Sequence, residues 1–129
     1  MLKQKLIGAQ VLAVTNDGIT VLINEKEFFL EIHTDDGDCC GFAYAQITAL
    51  SDTLKVYHED TTNNPVITDI KAVHSGDGSS ETVEITFFGE SKELFEISGE
   101  AGSGSGWNYG ATVSIVCSKL DLDEEIVGY

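Results

Sequence analysis

Apolar and polar residues alternate over most of this chain, and the alternation has the period of a strand. Leu6 to Val14 is almost continuously apolar, which predicts a strand buried on both faces. Asn16-Asp17-Gly18 follows. This tripeptide predicts a hairpin turn, because Asn, Asp and Gly tolerate positive φ. Ile19, Val21 and Ile23 then alternate with Thr20, Leu22 and Asn24, and Asn24-Glu25-Lys26 is a polar break. Phe28, Leu30 and Ile32 alternate with Phe29, Glu31 and His33 in a third strand. The alternation points His33 away from the Phe28/Leu30/Ile32 face.

The pattern then changes. Asp38 is placed to cap a helix over residues 39–50, with Phe42, Ala45, Ile47 and Leu50 near helical spacing. Gly41, Thr48 and Thr53 work against that helix. Asp60 to Pro65 reads as a loop. Val66–His74, Glu81–Phe88 and Lys92–Ser98 read as strands, joined by turns at Ser75–Ser80 and Gly89–Ser91. Gly99 to Gly110 is rich in Gly and Ser but carries Trp107 and Tyr109. A last strand is expected from Ala111 to about Leu120. The acidic segment after it, 121–129, is expected as a frayed end or a contact surface. Strands at short intervals with one helix predict a single α+β domain over 1–129, mainly antiparallel sheet, with the helix at 39–50.

Composition narrows the partners. The 129 residues suit one domain, and 42% hydrophobic content supports a packed core rather than disorder. No stretch approaches the ~20 apolar residues of a membrane span. The start, Met1 to Gly8, has no signal-peptide pattern. Three cysteines, an odd number, argue against a disulfide framework and for a reduced, cytoplasmic setting. Twenty-two acidic residues oppose seven basic ones, a net charge of −15. Such a chain repels nucleic-acid phosphates and anionic lipid. It is attracted instead to basic protein surfaces, including those that hold DNA or RNA. The same charge also serves solubility alone.

The run His33-Thr34-Asp35-Asp36-Gly37-Asp38-Cys39-Cys40 concentrates ligand chemistry. His33, Cys39 and Cys40 offer three soft ligands for zinc, with Asp38 or the distant Cys117 as a fourth. Asp35 or Asp36 is an alternative fourth ligand or would orient His33. Against this, adjacent cysteines diverge, unlike a CxxC pair, and Cys117 alternates in phase with Val113 and Ile115 as a buried small side chain would. A calcium loop is a poorer fit, since EF-hand spacing and its final Glu are missing. Catalysis has thin support. A Cys–His pair or a metal-dependent hydrolase using Asp36 or Asp38 is conceivable, but nothing positions a substrate. The run from Gly99 to Gly106 lacks the Lys-Ser/Thr of a P-loop, and Glu100 would repel phosphate. Trp107 and Tyr109 are candidate interface anchors, and Asp123, Glu124 and Glu125 are the densest candidate contact carboxylates.

The Gly37-Asp38-Cys39-Cys40 motif, with His33 upstream and a late Gly-rich segment, resembles a family of small phage and prophage proteins marked by Gly-Asp-Cys-Cys, a domain of unknown function. The resemblance implies a viral protein acting inside a bacterium. Small acidic phage proteins often resemble inhibitors of host defence, including anti-CRISPR proteins. Cas9-type nucleases hold guide and target in positively charged channels. The expected function is therefore a zinc-stabilised acidic inhibitor docking on a basic nucleic-acid-binding surface. The alternatives are a small metal-dependent hydrolase or a virion structural or assembly protein.

Overall fold

Among the described residues, strand-period alternation becomes nine strands in two antiparallel sheets. The computed structural model describes residues 2–37, 41–56, 59–90, 92–103 and 110–129. A short helix, α1 (Leu2–Leu6), precedes β1 (Gln10–Val14), β2 (Gly18–Ile23), β3 (Lys26–Asp35) and β4 (Phe42–Ala49). One turn of helix, α2 (Asp52–Lys55), leads through a long connection to β5 (Asp69–Gly76), β6 (Ser80–Gly89) and β7 (Lys92–Gly102). β8 (Thr112–Cys117), a 3-10 turn at Ser118–Leu120 and β9 (Leu122–Gly128) complete the fold. One sheet has the order β1-β2-β3-β8-β9 and the other β4-β7-β6-β5.

The expected α+β class is overturned: strand accounts for 62% and helix for 10%. The segment that decides it is 42–49. Its alanines and helical spacing of apolar residues suggest a helix, but it pairs with β7 over eight positions, from Phe42↔Gly102 to Ala49↔Phe95. Pairing sends Ala43, Ala45, Ile47 and Ala49 to one face and Phe42, Tyr44, Gln46 and Thr48 to the other. Local propensity is weak against such a ladder. Residues 39 and 40, the expected helix start, lie outside the described residues.

Two smaller differences have similar causes. Leu2 and Leu6, one helical turn apart, are both buried under α1, so Leu6 is not in a strand. β1 buries Val11 fully but only half-covers its neighbours. Its free edge is closed by the connection before β5. Val11 N–H donates to Pro65 O at 2.9 Å and Ile67 N–H to Ala9 O at 2.8 Å, while buried Asn64 donates Nδ2 to Val11 O at 3.0 Å. A covered edge does not invite pairing with another chain. The acidic segment at the end holds β9, paired with β8 from Cys117↔Leu122 to Thr112↔Gly128.

The inner faces of the two sheets form the core. Phe87 and Phe95, opposite each other on β6 and β7, are fully buried and stacked at 4.2 Å between centroids. Such a pair adds about 0.5–1.5 kcal/mol beyond its area burial. Along β7 the inward positions shrink from Phe95 and Ile97 to Gly99 and Ala101. A β-carbon on Gly99 would stand 3.3 Å from Val127 and 3.5 Å from Val113, both on the opposite sheet. The small residues thus permit direct sheet-to-sheet contact. The chain changes sheet between β3 and β4 and again between β7 and β8. Beside the described ends of these strands, Gly110 N–H donates to Tyr129 O and Ser103 N–H to Ser79 O.

The two early turns work differently from each other. The Asn16-Asp17-Gly18 hairpin forms, but Gly18 is needed for space: a β-carbon there would lie 2.2 Å from Leu30 O. The left-handed pair is Asn24-Glu25, with φ of 50° and 67°, between the partners Ile23 and Lys26. A two-residue turn of this kind prefers Asn-Gly, and a non-glycine residue held left-handed costs about 1–2 kcal/mol. Replacing Glu25 with Gly should therefore raise the unfolding free energy by about 1 kcal/mol. Urea denaturation with an unchanged slope would show it; a loss of stability would mean that the Glu25 side chain makes a compensating contact.

Candidate functional site

The outer face of the five-stranded sheet carries most of the chemistry expected from sequence. On β3 the residues of this face, Glu27, Phe29, Glu31, His33 and Asp35, are all exposed. Directly opposed residues share a face in an antiparallel pair. Glu31, Val116 and Asp123 therefore form one row across β3, β8 and β9, and His33, Ser114 and Glu125 form the next. His33 points away from the core, as the alternation requires. Its Nε2 lies 2.7 Å from Glu31 Oε2. Phe29, 42% exposed, and Val116 line a groove of about 620 Å³ in this face, edged by Glu27, Glu31, His33 and Lys119.

The expected metal ligands divide. Cys117 is only 6% exposed and faces the core with Val113 and Ile115, whereas His33 is on the solvent face of the same sheet. Cys117 reaches the edge of the same groove as His33, but its side chain packs with the core. Asp38, Cys39 and Cys40 lie outside the described residues. Asp35 and Asp36 bind their own backbone: Asp35 Oδ1 accepts Gly37 N–H at 2.8 Å, and Asp36 Oδ1 accepts Ala43 N–H at 3.1 Å. These bonds shape the crossing from β3 to β4. Among the described residues, no group of three or more His, Cys, Asp or Glu is arranged to hold a metal ion. No described helix is long and apolar enough to cross a membrane.

The expected contact residues also divide. Asp123 and Glu125 are exposed on the outer face. Glu124, opposite Ile115, is half-buried and borders the seam between β9 and β5 with Ile70 and Ile126. A bulge between Val113 and Ser114 shifts the register there and lets Ile126 and Val127 both be buried. Trp107 and Tyr109 lie outside the described residues.

Sequence reading passed over the outer face of the other sheet. Tyr44, 58% exposed, stacks against Phe42 at 5.9 Å and donates its hydroxyl to Glu100 Oε1 on the neighbouring strand. That hydrogen bond and the Glu100 charge hold the Tyr44 phenol above its ordinary value of 10.0, because ionisation would place two anions together. The signal in the sequence was Tyr44 alternating with Gln46 and Thr48, which a helical reading of 39–50 concealed.

The Tyr44–Glu100 pair gives a direct expectation. In Glu100→Gln the Tyr44 ionisation should move down toward the ordinary phenol value. Ultraviolet titration against a Tyr44→Phe reference would resolve it, and an unmoved titration would mean that the pair does not form in solution.

Comparison with protein-family models, curated proteins and solved structures returns no match for this chain.

Proposed function

We propose that this protein is an acidic binding module that docks the outer face of its five-stranded sheet onto a basic surface of a nucleic-acid-handling protein. The kind of function is a phage-encoded inhibitor of host defence, of anti-CRISPR type, acting in the cytoplasm of an infected bacterium, with a Cas9-type nuclease as partner. One observation carries the reading. Glu27, Glu31, Asp35, Asp123 and Glu125 are all exposed on one face around Phe29 and Val116. An apolar centre with a charged rim is how binding energy is distributed at protein interfaces. The net charge of −15 adds long-range attraction to a basic groove. The carboxylates stand on β3 and β9, two strand spacings or about 10 Å apart across β8, and they compete for the lysines and arginines that grip phosphates.

Zinc enters the same proposal as a stabilising ion held by His33 with Asp38, Cys39 and Cys40. Cys117 is left out because it faces the core. When bound, the ion would tie the end of β3 to the crossing that follows it.

The docking reading is tested with a purified Cas9-type nuclease loaded with guide RNA. Binding and inhibition of DNA cleavage should weaken as ionic strength rises, because the Debye length falls from about 30 Å at 0.01 M salt to about 8 Å at 0.15 M. The double variant Glu31→Lys with Asp123→Lys should weaken binding by about tenfold or more, a loss of at least ~1.4 kcal/mol. Binding absent at low salt, or unmoved by the charge reversal, would remove this proposal.

The zinc is tested separately by native mass spectrometry on protein purified without chelator or polyhistidine tag. One zinc per chain is expected, lost in His33→Ala and in Cys39→Ala and kept in Cys117→Ala. Metal-free protein in every preparation would strike zinc from the proposal and leave the docking face untouched.

A further inference from the structure

The four-stranded sheet has a groove on its outer face that the acidic docking face does not use. Its volume is about 380 Å³, within the range of small-ligand sites. Register places Tyr44, Glu100, Thr82 and Ser75 in one row across all four strands. Gln46, Ser98, Glu84 and Val73 form the next row. The two edge strands raise apolar surface at either side: Tyr44, 58% exposed, on β4, and Val73, 66% exposed, on β5. Three strand spacings separate them, about 14 Å. The floor between is hydroxyl, amide and carboxylate.

The lining selects by chemistry. Glu84 and Glu100 face the groove and no lysine lines it, so phosphates and carboxylates are repelled. A bare cation would need only acceptors. This groove also offers groups that donate: the Gln46 amide and the Ser75, Thr82 and Ser98 hydroxyls. Ser75 Oγ and Thr82 Oγ1 already lie 2.6 Å apart, and Tyr44 is held by its stack with Phe42 and by its bond to Glu100. A ligand matched to this surface has many groups that both donate and accept, plus flat C–H faces to lie on an aromatic ring.

We propose that this groove binds a neutral oligosaccharide of two to three sugar units. The Tyr44 ring takes a sugar face by apolar stacking. Glu84 and Glu100 accept hydrogen bonds from sugar hydroxyls, charge-assisted and so stronger than neutral ones. Gln46, Ser98 and Thr82 complete the donor and acceptor set across the floor.

The test uses the full chain with cellotriose, maltotriose, N-acetylglucosamine trimer and, as a cationic competitor, spermine. Each is titrated into isotopically labelled protein and followed by amide shifts. At least one neutral trisaccharide should move the amides of Tyr44, Gln46, Glu84 and Ser98. Tyr44→Ala and Glu84→Gln should each weaken that binding about tenfold, the effect of one lost stacking or charge-assisted contact, while Tyr44→Phe retains more of it. Both positions are at the surface, so melting temperatures near wild type would show that the fold is kept. Glu31→Lys, on the other sheet, should leave sugar binding unchanged. No shift with any neutral sugar, shifts elsewhere on the molecule, or spermine alone filling the groove would overturn the proposal.

Discussion

At Gly99 the two sheets stand in direct contact, and that contact constrains which residues of the surrounding strands face inward. A side chain there would press on Val113 and Val127 of the opposite sheet and on Val83 beside it. Larger inward residues, Phe87 and Phe95, fill the space where β6 and β7 run away from this point. Protein interiors tolerate neither voids nor overlap. The inward set is therefore determined along β4, β6, β7 and β8 together. In a strand, choosing the inward set also chooses the outward one.

This constraint explains why the two outer faces are so orderly. A one-residue slip of β3 against β8 would bury Glu31 and His33 and expose Leu30 and Ile32. The cost of burying unpaired charge makes such a slip inaccessible. The carboxylates of β3 and β9 are held in rows by the burial of the residues between them. The same holds for Tyr44 and Glu100 on the other sheet, whose hydrogen bond joins neighbouring strands on a solvent-facing surface.

The charge acts against the fold while it serves the proposed docking. Twenty-two carboxylates on a small domain repel one another at neutral pH. Several are held locally. Asp77 accepts the Ser79 and Ser80 amides in the β5–β6 turn, Asp69 accepts the Ile70 amide and Asp60 the Thr62 amide. Hydrogen bonds to the ionised form put all three below the ordinary carboxylate value of 3.8. Their folded values lie below the unfolded one, so the stability they give is present above pH 3.8 and lost as the pH falls further. Near the isoelectric point of about 4.2 the general repulsion has eased, and these local bonds are still in place.

The sequence by itself determined the strand-period alternation, most turns, the outward direction of His33, the inward phase of Cys117 with Val113 and Ile115, and the excess of negative charge. These are local properties, carried by side-chain period and turn chemistry. It did not determine that 42–49 is a strand, because an alanine-rich segment satisfies either period until a partner strand is present. Nor did it show that Leu122–Gly128 completes a sheet, since an acidic stretch becomes a strand only when β8 offers it an edge. Tertiary structure alone placed His33 and Cys117 on opposite sides of one sheet. It also assembled the Tyr44, Glu100 and Glu84 surface from strands 16 to 56 residues apart in sequence. Such neighbours are chosen by strand order and register, and these are set by how two sheets fill one core.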